Sequence, residues 1–299
     1  MVSQISVVIN TRNEEDNISR AIKSVDWADE IIVCDMHSDD KTVEIAKSLG
    51  AKVVYHKKLP FVEPARNFAV SKASNQWILV LDPDEEVGEG LRQELVKIIS
   101  SEVLVDYIRI PRKNIIFNKW MRASMWWPDL NIRFFRKGSV VWSDRIHIPP
   151  KTSGKGMDLS ANENLAILHY HYNSLSQYHE RMTRYTDIQS AELKSDGYIF
   201  DFKDLIKKPL SEFLSRFFAN RGFEDGIHGL ALSLLQAFSF LIVYLKVWEM
   251  EKFKEVPIDL KGLKELTKNS GKEINYWFKY ANLPKNFFKR LAQKIRNKL

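Results

Sequence analysis

The sequence predicts an α/β fold, a mostly parallel Rossmann-like sheet followed by a helical C-terminal extension, and three observations carry that prediction. Short β-branched runs alternate with helix-like segments over the first hundred residues. Those runs are almost continuously apolar, as strands covered on both faces are. Beyond residue 174 strand-like runs give way to helical spacing. Taken in order, "ISVVIN" (5–10), "EIIVCD" (30–35), "KVVYH" (52–56) and "WILVLD" (77–82) are the first four strands, separated by helices near 14–25, 39–49 and 64–74. Alternation of this length makes βαβ units with right-handed crossovers. From about residue 103, "VDYIRIPRKNIIF", "LNIRFFRKGSVVW" and "LAILHYHY" read as shorter strands in an added mixed or antiparallel part. "SLSQ" at 174–177 starts a helix as a capping box, with Leu175, Tyr178, Met182 and Tyr185 following at helical spacing. Pro209 fits the first turn of a further helix. The last clear element, "GLALSLLQAFSFLIVYL" (229–245), has 17 residues without a charge and reads as a buried, interfacial or membrane-spanning helix. The expected division is 1–173 as one domain, with halves 1–102 and 103–173, and 174–299 as a helical region ending in a basic amphipathic tail.

Composition narrows the class. With 299 residues, 44% of them apolar, the chain can fill a sizeable core and is not disordered. Its single cysteine, Cys34, excludes an internal disulfide and a cysteine-based zinc site, and fits a cytoplasmic protein. "MVSQISVVIN" shows no secretory pattern. The net charge of +7 is uneven: residues 246–299 hold 14 Lys/Arg against 6 Asp/Glu, a balance of +8. The segment "KNFFKRLAQKIRNKL" sets Phe287, Phe288, Leu291, Ile295 and Leu299 at helical spacing among six basic residues. Large apolar groups on one side suit an anionic membrane surface better than nucleic acid, and a helix packed on its own domain is the alternative. A protein peripheral on the inner face of the cell membrane is therefore expected.

"ILVLDPDEEV" (78–87) runs an apolar strand into Asp82, Asp84, Glu85 and Glu86. If the strand continued, its pleat would point Asp82 and Asp84 the same way, a clamp for a hard divalent cation (Mg²⁺ or Mn²⁺) that completes its shell with phosphate oxygens. The alternative is a solvated turn whose acids cap the next helix. Asn10 and Thr11, and Asp35, end the neighbouring strands, and Arg66 in "PARN" opens a helix beside them. In parallel sheets ligands sit beyond the carboxyl ends of strands, so a base-pairing carboxylate, an arginine and an acidic pair together point to a nucleoside-diphosphate site. "VINTRNEED" lacks the glycines of a dinucleotide-binding turn or a sugar nucleotidyltransferase loop. His169 and His171 in "HYHY" share one face at strand spacing, and packing is the reading preferred over metal binding.

The run "ISVVINTRNEEDNI", then "SVDWADEIIVCDMHSDDKTVEIAKSLGAKVV" and "EPARNFAVSKASNQWILVLDPDEEV" resembles glycosyltransferase family 2, with its GT-A fold. "HYHYNSLSQYHERMTRYTDIQSAE" and the stretch from Lys207 to Glu249 look like the C-terminal half of the branch that includes bacterial lipopolysaccharide core glucosyl and heptosyl transferases. The resemblance implies an inverting glycosyltransferase using direct displacement, a nucleotide-sugar donor with UDP as default, a glycan or lipid-linked acceptor, and a divalent metal. It implies that Thr11, with Asn13 and Glu14 in the same loop, lines the nucleotide-sugar pocket. Asp35 pairs with the base, Arg66 supports the diphosphate, and Asp82 and Asp84 form the DxD motif. Asp129, in "DLNIRF", is the expected base, with Asp144 and His147 as the other candidates. Two departures stand out: His37 occupies a position where glycine is common, and Ile148 replaces the glutamate of a Val-His-Glu motif. A catalytically silent membrane-surface scaffold and a sugar nucleotidyltransferase are the alternatives.

Overall fold

The computed structural model describes residues 4–59, 62–101, 103–143 and 148–281. Two compact units result: Met1–Trp120 with Trp126–Asn173, and Met121–Met125 with Ser174–Leu299.

The first unit is built from strands β1 (Ile5–Thr11), β2 (Glu30–Asp35), β3 (Lys52–Tyr55), β4 (Trp77–Leu81), β5 (Glu85–Val87), β6 (Tyr107–Ile110), β7 (Arg112–Ile116), β8 (Lys119–Trp120), β9 (Asn131–Arg136), β10 (Val140–Val141), β11 (Lys151–Thr152), β12 (Gly156–Asp158) and β13 (Ile167–Tyr172). Helices α1 (Ile18–Lys23), α2 (Thr42–Ser48), α3 (Glu63–Ser71) and α4 (Glu89–Ser100) connect the first six. The main sheet has the order β12-β6-β9-β4-β1-β2-β3. β1 pairs in parallel with β2 and β4, and β2 with β3, whereas β9 runs antiparallel to both β4 and β6. The mostly parallel α/β sheet with antiparallel additions expected from the sequence is thus the one observed.

Alternation along the strands divides the core. Ile5, Val7 and Ile9 of β1 join Leu79 and Leu81 of β4 beneath Ile18, Ile22, Leu91 and Leu95 of the helices on one face. Val8, Ile32, Ile78 and Val80 pack with Ala69 and Val70 of α3 on the other. The strands had to be apolar throughout because both faces are covered. Trp77 stacks on Phe134 across the β4–β9 pair, centroids 4.7 Å apart, and extends the core towards the antiparallel edge.

A second sheet, β5-β13-β7-β8, grows out of the end of β4. β13 is antiparallel to β5 and parallel to β7, so His169 lies opposite Glu85 on one side and Asn114 on the other. That register brings three distant pieces of sequence to the mouth of β4.

The second unit holds α5 (Leu175–Ser195), α6 (Asp204–Leu214), α7 (Ile227–Met250) and α8 (Leu260–Ala281). Ser174 caps α5, its hydroxyl accepting from the Gln177 N–H at 3.1 Å. Residues 121–125 group here because the Asp225 carboxylate accepts the backbone N–H of Arg122 (3.0 Å) and of Ala123 (2.8 Å). Pro209 is not in a first turn. α6 starts at Asp204, whose carboxylate complements the helix N-terminus, so the proline falls in the helix interior and leaves the carbonyl of Leu205 without its usual donor. The basic segment 285–299 lies outside the described residues.

Candidate active site

The apolar run of β4 stops at Leu81, and Asp82 to Glu85 form a turn closed by the Glu85 N–H donating to the Asp82 carbonyl at 3.0 Å. The extended-strand clamp inferred for Asp82 and Asp84 is therefore corrected. The two carboxylates leave a turn in different directions and meet different partners.

Asp82 is held by cations. Its Oδ1 accepts from Arg66 Nη2 at 2.7 Å and its Oδ2 from Arg133 Nη2 at 2.5 Å. Glu85, fully buried, accepts the Asp82 N–H at 2.9 Å and shares Arg133 Nη2 at 2.6 Å. It does not cap α4, which begins after Gly88 with Glu89 in its first turn. Burial alone would raise the pKa of Asp82, but the Arg133 and then the Arg66 guanidinium overcome it and hold the carboxyl well below its usual range. Burial would likewise strip the proton from Arg133, yet Asp82 and Glu85 hold it on.

Asp129 sits in the same lattice. Its Oδ2 accepts from Arg112 Nε at 2.9 Å and from Asn114 Nδ2 at 2.9 Å, and its Oδ1 from Asn131 Nδ2 at 3.0 Å. Burial pushes its pKa up, but Arg112 and these amides bring it below the ordinary value. A carboxylate so occupied is a weak proton acceptor, which argues against the role of base expected for it. Asp82, Glu85 and Asp129 are thus matched by Arg66, Arg112 and Arg133.

Asp84 is 5% exposed, with Oδ1 3.6 Å from His169 Nε2, and its carbonyl accepts the Tyr170 N–H at 2.9 Å. Asn114 sets the state of His169. Its Nδ2 is committed to the Trp126 carbonyl at 2.7 Å and to Asp129, so its oxygen faces His169 Nδ1 at 2.6 Å and can only accept. His169 therefore carries a proton on Nδ1, and its Nε2 faces both Asp84 Oδ1 at 3.6 Å and His171 Nδ1 at 3.1 Å.

At the ends of β1 and β2, Thr11 and Asp35 are buried and adjacent in register. The Thr11 hydroxyl meets no protein partner among the described residues. Asp35 accepts from the Ser38 N–H at 3.0 Å and the Ser38 hydroxyl at 2.5 Å, and that hydroxyl in turn accepts the Asn13 N–H at 2.9 Å. The Asn13 side chain accepts the Asp39 N–H, and the Glu14 N–H reaches Thr42 Oγ1. The two loops are laced together around Asp35. His37 adopts φ 59°, so the turn keeps the left-handed conformation that glycine usually supplies. Asp144 and His147 lie outside the described residues. Trp126 and Trp127 are half-buried; Trp126 tilts against His171 with centroids 5.5 Å apart.

A divalent ion was expected on Asp82 and Asp84. Asp82 does not fit, since a guanidinium already faces each of its oxygens. Asp84 with His169 Nε2, 3.6 Å from its Oδ1, does fit, because a metal-binding imidazole characteristically donates its other N–H to a fixed acceptor, here the Asn114 oxygen. Among the described residues no three His, Cys, Asp or Glu side chains are preassembled around one point, so such an ion would draw its remaining ligands from phosphate and water.

A sequence model of glycosyl transferase family 2 matches residues 6–155, half of the chain. The chain belongs to glycosyl transferase family 2. Relatives of this glycosyltransferase include the "uncharacterized glycosyltransferase RT0209" of Rickettsia typhi, 33% identical over 83% of this chain and 88% of the relative. RP128 of Rickettsia prowazekii is 30% identical over 99% of both chains. The lipopolysaccharide core biosynthesis glycosyltransferase LpsC of Rhizobium meliloti is 21% identical over 85% of this chain and 95% of that one, a match that runs beyond the family 2 segment. Among solved structures, glucosyl-3-phosphoglycerate synthase of Mycobacterium tuberculosis, in complex with Mn²⁺, UDP and glucosyl-3-phosphoglycerate, overlaps 38% of this chain and 44% of its own at 23% identity and a TM-score of 0.32.

Residues that the sequence reading missed are Arg112, Asn114, Arg133 and the placement of Glu85. Arg133 carried a signal: a lone cation in the apolar run "NIRFF" is buried if both faces of its sheet are covered, and a buried cation must find an acid.

Proposed function

We propose that this family 2 enzyme transfers a sugar, with inversion, from a nucleoside-diphosphate donor to a glycan or lipid-linked acceptor by direct displacement, assisted by a divalent metal ion. The observation that carries this reading is the charge-balanced cluster at the end of β4, which locks Asp82 between two arginines and sets Asp84 beside His169. Thr11 and Asp35 border the nucleoside, UDP being the default. The unpartnered Thr11 hydroxyl supports that placement. Arg66 anchors the diphosphate side through the nitrogens it does not give to Asp82. A metal held by Asp84 and His169 would neutralise charge on the departing diphosphate. His169 holds its proton at Nδ1 against Asn114, and Asp129 fixes Asn114 and Arg112. With Asp129 in that positioning role, Asp144 and His147 remain as bases for the acceptor hydroxyl. The name of the Rhizobium meliloti relative supports a lipid-linked core glycan as acceptor. The basic C-terminal region, +8 over 246–299, faces an anionic membrane and keeps the enzyme peripheral on the cytoplasmic side.

The test is release of nucleoside diphosphate from a panel of nucleotide sugars with and without Mn²⁺, in wild type and Asp84→Asn. The reading expects metal-dependent release that the substitution abolishes. Donor binding without turnover on any acceptor or water would instead mark a silent scaffold.

A further inference from the structure

Two asparagine side chains are buried in the first unit, and they differ in one respect. Asn114 uses both ends of its amide, on the Trp126 carbonyl, Asp129 and His169. Asn10, 3% exposed near the end of β1, uses neither: its Oδ1 and its Nδ2 meet no hydrogen-bond partner among the described residues. An amide taken out of water and left unmatched costs stability. The sheet itself has no need of one there, because Val8 fills the preceding place on the same face of β1 with hydrocarbon.

Register fixes where that amide lies. Asn10 pairs with Cys34 of β2, one step before the Thr11–Asp35 pair that ends both strands. Alternation puts it on the α3 side of the sheet with Val8, Ile32 and Cys34, and puts Thr11 and Asp35 on the other. The unmatched atoms around this strand end are the Asn10 amide, the Thr11 hydroxyl, and the Nε of Arg12 and of Arg66 on α3. Asp35, expected to pair with the base, instead accepts from Ser38 through both carboxylate oxygens. β1 lies between β4 and β2, so a nucleotide with its diphosphate at the Asp84 turn has the ends of β1 and β2 to cover with its nucleoside.

The unmatched groups sort by charge. Guanidinium N–H groups suit phosphate oxygens, which only accept. The Asn10 amide does not, because its own oxygen would then face another acceptor. It needs a neutral partner with a donor and an acceptor side by side. A pyrimidine-2,4-dione has both: the ring N3–H donates to Oδ1 while the adjacent carbonyl accepts from Nδ2. A ribose hydroxyl brings a single oxygen and leaves one end of the amide unmatched.

We propose that Asn10 reads the nucleobase of the donor, through paired hydrogen bonds to the N3–H and neighbouring carbonyl of a pyrimidine-2,4-dione, uracil or thymine. This specificity rests on the nucleoside-diphosphate reading above and replaces its default uridine with a choice made by one side chain.

The test is isothermal titration calorimetry of the full chain with UDP, dTDP, CDP, GDP and ADP in the presence of Mn²⁺, for wild type, Asn10→Leu and Asn10→Asp, together with the melting temperature of each free protein. Wild type is expected to prefer UDP or dTDP. Asn10→Leu removes the unmatched amide, so it should melt at or above the wild-type temperature and yet bind UDP and dTDP at least roughly tenfold more weakly. The carboxylate of Asn10→Asp only accepts and repels a base carbonyl. It should move the ratio of UDP to GDP affinity at least roughly tenfold towards GDP, whose N1–H and N2–H both donate. Should that variant fail to fold, the leucine variant decides alone. Equal UDP affinity in wild type and Asn10→Leu overturns the proposal, and a lower melting temperature beside it would mark an amide held by buried water. So does a leucine variant that loses every nucleotide to the same extent, since the amide would then hold the shared ribose or phosphate. A wild type that prefers CDP, GDP or ADP overturns it too and leaves the donor reading intact, whereas one that binds no nucleoside diphosphate removes the donor reading and the role of Asn10 together.

Discussion

At the end of β4, Arg66, Asp82, Glu85, Arg112, Asp129 and Arg133 have side chains between 0 and 23% exposed, each carboxylate against a guanidinium; along α7, Ile227, Leu234 and Phe238 stand in solvent. The sheet unit buries charge and the helical unit exposes hydrocarbon. Both arrangements run against the ordinary partition of residues, and each carries a cost that packing alone does not explain. One region holds its charged atoms fixed against one another, and the other leaves apolar side chains in contact with solvent.

The sharpest way to break the contrast is to unpair the buried cluster. Arg133→Met leaves Asp82 and Glu85 facing each other and should cost about 3–5 kcal/mol in urea unfolding, of which adding Glu85→Met should restore part. A loss under about 1 kcal/mol would mean that solvent reaches the cluster and that its charges are not locked. Asp84→Asn should act on rate and not on stability. It should lower nucleoside diphosphate release about a hundredfold or more, while the melting point stays near that of wild type.

Acid titrates the same difference. Asp82 and Asp129 have folded pKa values below their unfolded ones, so the stability they contribute is present above about pH 4 and drains away as pH falls from there through the folded values. Urea midpoints at pH 7, 5 and 3 should therefore be level between the first two and lower at the third. A loss that begins as pH rises would contradict the pairing. His37→Gly should relieve the left-handed turn beside Asp35 and raise stability by about 0.5–1 kcal/mol. The smallest effect belongs to the other region: Phe238→Ser, on a bare surface, should stay within about 0.5 kcal/mol of wild type.

The sequence displayed the parallel strands because their constraint is local: a strand covered on both faces has to be apolar at every position, and "ISVVIN" and "WILVL" are. The cap of α5 was legible for the same reason, since Ser174 and Gln177 lie within one turn. The turn at Asp82 was not. What ends β4 there is Arg133, 51 residues away, and Glu85, whose side chain folds back on the Asp82 N–H. Strand periodicity says nothing about either. Pro209 misled because a helix start was set by the proline, when Asp204 with the apolar spacing of Leu205, Ile206 and Leu210 already defined an earlier one. Asp129 was recognisable as an acid near an arginine, but its occupancy by Arg112, Asn114 and Asn131 depends on three pairings that only the folded sheets create.

Asn114 gives the site a direction. An amide has one end that gives hydrogens and one that takes them, and here the giving end is used up on Trp126 and Asp129. Polarity therefore runs one way, from His169 to Asn114, as it does between magnets when one is glued in place. Asn114→Leu would keep most of the shape and erase the orientation, since it removes the acceptor that His169 Nδ1 faces. The His169 ring would then be free to carry its proton on either nitrogen, and a ligand arriving at its Nε2 would meet a lone pair in some molecules and a proton in others.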